Sequence, residues 1–488
     1  MTSLSMVDSV ASAHPATLWL DRLDPPLRRR PGLGGGAGGP DPLEPLDVAI
    51  VGGGFSGLWT AYYLARLDPG KRIVVIEREV CGFGASGRNG GWCEGELAGS
   101  FEAFAARSSP SEALRQARAA FDAVDEVGRV CVTEHIDAHF QKGGTVRVAR
   151  TAPQAERQRA EVSHHRRLGF TEEEVRLLDV AEATALLGAT RVRSGIFLAP
   201  SAALDPARLV RGLAETVERL GVTIYEGTEV VELEPGWVRV RATGREHAST
   251  TRLRAGVVVR STEAYTRDLP GMRRHFIPVY SLMIATEPLS DDVFGNIGLT
   301  DRPTFADDRY LVIYGQRTAD NRLAFGGRGV PYLFGSRIRA RTEQNLRAHR
   351  LIASTLADLL PAVSEARITH RWGGVLAIPR NWMPFVRYDP SQGRAELGGY
   401  VGEGVAASNL AGRTLAELIC GHDTERTSLP IVGVKSRDWE PEPLRWLGVR
   451  SSRRLLMSAD RFERATDRPA TAAVRAAQLL RDPFGPRP

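Results

Sequence analysis

Three glycines and one carboxylate define the chemistry open to this chain. Gly52, Gly54 and Gly57 follow the G-x-G-x-x-G spacing, and Glu77 stands twenty positions after Gly57. Glycine at the first position permits a tight turn, at the second lets a pyrophosphate approach bare backbone, and at the third lets a helix pack close to a strand. A carboxylate at Glu77 suits the hydroxyls of a ribose. Phe55, Ser56 and Arg78 complete this first set of candidate contacts. The chemistry implied is capture of a dinucleotide.

A second set follows at 82–91, which reads Gly-Phe-Gly-Ala-Ser-Gly-Arg-Asn-Gly-Gly. Backbone this rich in glycine can come very close to a flat or phosphorylated ligand. Gly84, Ala85, Ser86, Arg88, Asn89, Gly90 and Gly91 are its candidate contacts. A third Gly-rich turn, at 397–404, precedes a helical pattern over 405–419. It implies another helix N-terminus aimed at a ligand.

Particular elements must hold these groups. The apolar run Val48–Val51 predicts a buried parallel strand, the pattern through Leu64 a helix, and Ile73–Ile76 a second strand ending on Glu77. Strand, glycines, helix, strand and terminal acid stand in register, which a chance Gly-rich turn would lack.

The rest of the chain bounds the possibilities. At 488 residues, 42% apolar and 25% charged, it is long enough and mixed enough for two or three globular domains. No apolar run is long enough to span a bilayer, and the N-terminus has no basic region followed by an apolar core. The default location is therefore cytoplasm. The net charge of +6 does not point to nucleic acid, because acids and bases are interspersed and only Lys71, Lys142 and Lys435 are lysines. Cys81, Cys93, Cys131 and Cys420 show no C-x-x-C spacing, so reduced thiols are expected and no metal site.

Residues 1–45 are rich in Pro and Gly and predict a flexible leader, with 18–20 docked on the body. Helices are expected over 111–132, 152–168 and 171–187, and from Asp205-Pro206 onward. Strands are expected at 222–226, 229–233, 237–241 and 257–259. From Pro278 the pattern becomes that of an antiparallel sheet, with strands at 279–286, 311–314 and 323–325. A helix over 343–360 follows, and 426–488 reads as a polar, partly helical tail.

Three blocks, Val48–Glu77, Gly82–Gly91 and Arg371–Ile419, carry a resemblance. The chain resembles the FAD-dependent amine and amino-acid oxidoreductases of the D-amino-acid oxidase type, which include sarcosine and glycine oxidases and γ-glutamylputrescine oxidase. The likeness covers roughly residues 46–420. It implies an α/β fold, with a doubly wound FAD-binding domain and an inserted mixed-sheet α+β substrate domain. The expected boundaries are 46–130, 196–275 and 366–425 for the FAD-binding domain, and 131–195 and 276–365 for the substrate domain. By resemblance, Gly52, Gly54 and Gly57 hold the pyrophosphate and Glu77 the adenosine ribose. Ser86, Arg88, Asn89 and Gly90 lie along the phosphates and flavin, and Val230 meets the adenine through its backbone. Thr262 and Gly373 join the cofactor contacts. Gly402, Gly404 and Val405 face the flavin's pyrimidine end, where the helix dipole stabilises negative charge.

Two departures refine the resemblance. Many sarcosine-type relatives attach flavin through a cysteine, but the segment Trp372-Gly373-Gly374-Val375 has none nearby, so non-covalent FAD is expected. Such relatives also carry a lysine after the late glycine turn to hold a substrate carboxylate. Here that stretch is Val405-Ala406-Ala407, which favours an amine lacking an α-carboxylate, unless an arginine such as Arg328 serves instead.

The expected function is oxidation of a C–N bond by hydride transfer to flavin, giving an imine that hydrolyses. Oxygen or another acceptor then takes the electrons. Lys142 is a candidate for promoting oxygen reduction, against a solvated loop lysine. His370 is a candidate for facing the substrate, against an ordinary hydrogen-bonded histidine. Trp372 joins Tyr280, Tyr314 and Trp382 as a possible aromatic cage for a cationic amine, against core packing. Glu403 is a candidate for attracting the ammonium, against a structural role. The alternatives are an NAD(P)-dependent dehydrogenase, which the absence of any Tyr-x-x-x-Lys pair disfavours, or a flavin-binding protein without catalysis.

Overall fold

The strand Leu46–Val51 lies at the centre of a sheet, between Thr251–Arg260 and Ile73–Ile76, and runs parallel to both. Ile73–Ile76 pairs in turn with Thr223–Tyr225, and Thr251–Arg260 with Arg394–Gly398, again in parallel. A parallel sheet is covered on both faces, which explains the unbroken apolar runs. All four residues of Ile73–Ile76 are buried. Helices Phe55–Leu67, Pro206–Arg219 and Gly404–Ile419 cover one face. Asp205 caps the second of these through the amides of Ala207 and Arg208, with Pro206 in its first turn. The antiparallel hairpin Thr228–Glu234 and Trp237–Ala242 covers the other face through Val238 and Val240.

This computed structural model describes residues 5–33, 44–243, 249–327 and 332–480; Arg328 lies outside the described residues.

A second, eight-stranded sheet stands beside the first. Its order is Ile368–Ile378, Ile277–Thr286, Leu323–Gly327, Ile313–Arg317, Thr304–Asp307, Thr145–Ala149, Ser194–Leu198 and Val175–Leu178. Thr304–Asp307 and Thr145–Ala149 pair in parallel while the other neighbours are antiparallel, so the sheet is mixed. The helix Leu346–Leu359 packs on it through Ile352, Ala353 and Leu356.

Some elements differ from the sequence expectation. The stretch 171–187 is not one helix. Val175–Leu178 pairs with Ser194–Leu198, and Asp179 and Glu182 form a capping box that starts a separate helix, Val180–Leu186. Tertiary pairing outweighs helical propensity there. The helix expected from 343 begins at Leu346, where Asn345 accepts from the Ala348 amide. The strand Ile368–Ile378 lies in the second sheet although a boundary was expected at 366, because it pairs along its length with Ile277–Thr286.

The leader is built into the body over its described part. Met6, Val10, Leu18 and Trp19 are buried, and Met6–Ser9 and Leu18–Asp21 are short helices. The tail forms two helices, Leu444–Thr466 and Thr471–Leu479, that bury Val449, Leu456 and Ala477. Among the described residues no helix is long and apolar enough to cross a membrane.

Candidate functional site

The first strand ends at Gly52, whose φ of +110° suits glycine alone among common residues. A side chain at Gly57 would strike the Gly52 carbonyl, so this glycine lets the helix Phe55–Leu67 start hard against the strand. Gly54, its N-cap, offers no side chain to the first turn. The Phe55 amide donates to Ser86 Oγ at 2.9 Å, whereas the Ser56 and Gly57 amides have no acceptor among the described residues. The helix therefore presents open donors and a partial positive charge.

Those donors face a cavity of about 410 Å³. One end is lined by Glu77, Arg78 and Val230, and the other by Gly402, Gly404 and Val405. Gly52, Gly54, Phe55, Ser56, Gly84, Ala85, Ser86, Asn89 and Thr262 line the length between. The helix Gly404–Ile419 also starts without a side-chain cap. A second cavity, of about 80 Å³, shares Ala85, Asn89, Leu376, Gly402 and Val405 with the first. Arg88 and Gly90 line this smaller space with Glu403, Trp92 and Tyr314.

Gly57, Gly91 and Gly373 line neither cavity. Gly57 sits behind the helix start. Gly91 has a φ of +70° and packs against Gln316 and the Leu204 carbonyl. Gly373 packs against Leu282, and its neighbour Gly374 lines the smaller cavity instead.

Glu77 accepts from the amides of Gly53 and Glu79, each at 2.8 Å. Burial raises its pKa while these two amides pull it down. Asn89 braces its own loop: Nδ2 donates to the Ala85 and Ser86 carbonyls, and Oδ1 accepts from the Gly91 amide. Arg88 donates to Glu343 at 2.6 Å and to the Phe83 carbonyl at 2.7 Å.

The four catalytic candidates part company. Glu403 lines the smaller cavity at the start of the late helix. Lys142 does not approach either cavity; it is exposed and paired with Asp125 at 2.5 Å, so its place beside the cofactor is corrected to the surface. His370 is buried behind the wall. Its Nε2 meets Asp21 Oδ2 at 3.1 Å and its Nδ1 meets Thr369 Oγ1 at 2.9 Å. Burial lowers its pKa, against the pull of the adjacent Asp21. His14 stands with this pair, the ligand-capable atoms lying within 4.8 Å of one another. Trp372 is a core residue whose Nε1 donates to the Arg88 carbonyl at 2.9 Å, supporting the loop from outside the cavities. Neither His370 nor Trp372 lines either cavity.

Of the expected aromatic cage, Tyr314 lines the smaller cavity, where Trp92 meets it edge to face at 5.9 Å. Tyr280 is in the core and accepts from the Arg339 amide, and Trp382 lines neither space.

Sequence reasoning missed Glu263, Tyr265, Tyr400 and Trp92. Glu263 lines the larger cavity with a φ of +43° and accepts from the Gly399 amide at 2.7 Å. Burial pushes its carboxyl up to about 7. Tyr400 and Ser56 share a hydrogen bond of 3.0 Å that joins the early and late Gly-rich turns. A signal existed for Glu263 and Tyr265: they follow the carboxyl end of Thr251–Arg260, beside the central strand, where ligand crevices form in such sheets.

The family model described as FAD dependent oxidoreductase matches residues 47–418. A gamma-glutamylputrescine oxidoreductase of Escherichia coli is 30% identical over 387 residues, 78% of this chain and 84% of that protein. A probable oxidoreductase, OrdL, of Haemophilus influenzae is 29% identical over 395 residues, 79% of this chain and 85% of that one. Among solved structures, glycine oxidase from Geobacillus kaustophilus superposes with a TM-score of 0.61 at 22% identity, covering 78% of this chain and 95% of that one. L-proline dehydrogenase from P. horikoshii gives 0.62 at 19% identity, covering 80% and 96%. These two likenesses establish the fold.

Proposed function

Because the chain belongs to the FAD dependent oxidoreductase family, we propose that it oxidises the carbon–nitrogen bond of a small amine lacking a neighbouring carboxylate. The observation that carries this reading is the charge of the smaller cavity. Among the described residues Arg88 and Glu403 are the charged groups that line it, and Arg88 is already paired with Glu343. With Arg88 engaged by Glu343, the smaller cavity offers no open cation among the described residues for a substrate carboxylate, which favours an amine without one. One relative is a gamma-glutamylputrescine oxidoreductase, and an amine of that class is in keeping with a cavity whose arginine is engaged.

The residues present fit FAD. Two uncapped helix starts face the larger cavity, and a Cβ on Gly54 would crowd the space it leaves beside Ser86 Oγ, at 2.9 Å. In this reading Gly52, Gly54, Phe55 and Ser56 hold the pyrophosphate, and Glu77 with Arg78 holds the adenosine end. Val230 lies against the adenine, and Gly84, Ala85, Ser86, Asn89 and Thr262 flank the middle. Gly402, Gly404 and Val405 take the pyrimidine end. Non-covalent attachment is supported by the lining, since no cysteine or histidine lines either cavity among the described residues.

When bound, FAD supplies the acceptor for the hydride lost from the substrate carbon. The chain's own part is positioning. Glu403 accepts an N–H of the amine and orients the carbon that loses hydrogen. Trp92 and Tyr314 wall off water and offer ring faces to a cationic tail. The imine product hydrolyses in water, and oxygen or another acceptor takes the electrons. A cytoplasmic setting belongs to the same reading, supported by four free cysteines.

The test is anaerobic titration of the FAD-loaded protein with diamines, γ-glutamyl amines and N-methyl amino acids. Bleaching of the visible flavin band by the amines, and weaker bleaching by the amino acids, is expected. Bleaching by amino acids alone would overturn the substrate class. No bleaching by any of them would overturn amine oxidation.

A further inference from the structure

The family match begins at residue 47, yet the leader before it reaches the cavity wall. Trp19 is buried against Ala207, Met283 and Trp372, and its Nε1 donates to the Asn89 carbonyl at 2.8 Å. The two neighbouring carbonyls are held in the same manner. Arg88 accepts from Trp372 Nε1 at 2.9 Å, and Gly90 accepts from Gln316 Nε2 at 2.7 Å. None of the three donors lines a cavity, whereas Arg88, Asn89 and Gly90 all line the smaller one. The loop is thus gripped from behind by its carbonyl oxygens.

A trans peptide is planar, and its N–H points opposite to its C=O. The peptide joining Asn89 to Gly90 has its carbonyl turned outward to Trp19. Its N–H, on Gly90, has no acceptor among the described residues. Gly90 is buried and has no side chain to screen that donor. A buried amide without a partner is costly, and such groups are normally paired.

We propose that Trp19 is a positioning residue: by holding the Asn89 carbonyl it presents the Gly90 N–H to the smaller cavity, where that space joins the larger one at Ala85, Asn89 and Gly402, as a hydrogen-bond donor for the bound flavin. The leader is then part of the site rather than an appendage to it. Several contacts fix its course. His14 bridges to His370 in parallel register, with its amide donating to the Thr369 carbonyl and its carbonyl accepting from the Arg371 amide. Asp21 bonds His370, and the Pro15 carbonyl accepts from Gln344 Nε2. Trp19 therefore reaches Asn89 from a backbone anchored on both sides.

The inference rests on the FAD reading, and the experiment separates the two. Trp19→Phe keeps a ring in the buried pocket and removes the donor. FAD affinity is read by fluorescence quenching of added FAD, and the flavin environment by the visible spectrum without substrate. The expected result is a dissociation constant about fivefold higher, the scale of one net hydrogen bond, with displaced flavin bands. Trp19→Phe with unchanged affinity and spectrum would overturn the role of Trp19. Hydrogen exchange of the wild-type protein covers the case in which the variant does not fold. FAD should slow exchange of the Gly90 amide at least tenfold while the leader's own amides change little. Unchanged exchange at Gly90 would overturn the proposal. Failure of the wild-type protein to bind FAD at all would instead sink the reading beneath it.

Discussion

Arg88 and Glu343 meet at 2.6 Å where the Gly-rich loop faces the second sheet's helical cover. Each side chain is largely shielded from water, so each depends on the other. Burial raises the pKa of Glu343, and the adjacent guanidinium pulls it back. The pair ties the loop to the neighbouring layer and removes a positive charge from the smaller cavity. Glu343→Ala is expected to lower stability by about 1–3 kcal/mol, because it strands a guanidinium beside the cavity. Urea denaturation checks this. The freed cation should also raise KM for amines, and a carboxylate-bearing amine should gain relative to them.

Glu403→Gln tests the substrate contact directly. The carboxamide keeps the size and loses the charge. KM for a cationic amine should rise about tenfold, a loss of about 1.4 kcal/mol, with FAD retention unchanged. Steady-state kinetics and the flavin-to-protein absorbance ratio give both quantities. An unaltered KM would assign Glu403 to structure alone.

Lys142→Met should leave kcat/KM within about twofold of the wild type. The lysine is exposed and its partner Asp125 is exposed as well, so the pair contributes about 0–1 kcal/mol to stability. Oxygen consumption with a good substrate is the measurement. A large fall in oxygen reactivity alone would return the lysine to the reaction.

Gly57→Ala should abolish FAD retention. Its methyl group would meet the Gly52 carbonyl, which is backbone and cannot swing away. A stability loss of about 1–3 kcal/mol is expected from the overpacking. Thermal unfolding of the apoprotein and FAD binding of the folded fraction check the two effects separately.

Glu263 predicts a pH dependence of the apoprotein. Its folded-state pKa lies near 7, above the ordinary carboxylate value of 4.5. The folded state thus holds this proton more tightly than the unfolded one. The associated stability is fully present below pH 4.5 and is lost as pH rises toward 7. Glu263→Gln should flatten the profile, gaining about 3 kcal/mol on the wild type between pH 4.5 and 8. Parallel profiles for the two proteins would refute the assignment.

The lining of the larger cavity was legible because its reasons are local. Gly52, Gly54 and Gly57 lie within one turn, and Glu77 ends the next strand, so spacing alone brings them together. Of the second glycine block, Ser86 and Asn89 reach the larger cavity, while Gly91 serves the packing of its own loop. The smaller cavity resisted because its reasons are tertiary. Whether Trp372 faces a ligand or the core depends on the register of Ile368–Ile378 against Ile277–Thr286. Tyr314 and Trp92 meet only because the short strand Trp92–Glu94 packs against Ile313–Arg317, far along the chain. Lys142 drew notice through its rarity among arginines, a property of composition that carries no position. Glu263 went unread because its role depends on Gly399, far along the chain.

The bridge between His14 and His370 joins points 356 residues apart in the chain. During synthesis the leader emerges well before its seat on the second sheet, Ile368–Ile378. At ordinary elongation rates the interval is roughly 20–70 s. Throughout that time Trp19 has no pocket, and the loop it grips lacks its outer support. The leader thus acts as a clock as well as a brace, since the cavity wall closes only once most of the polypeptide has left the ribosome.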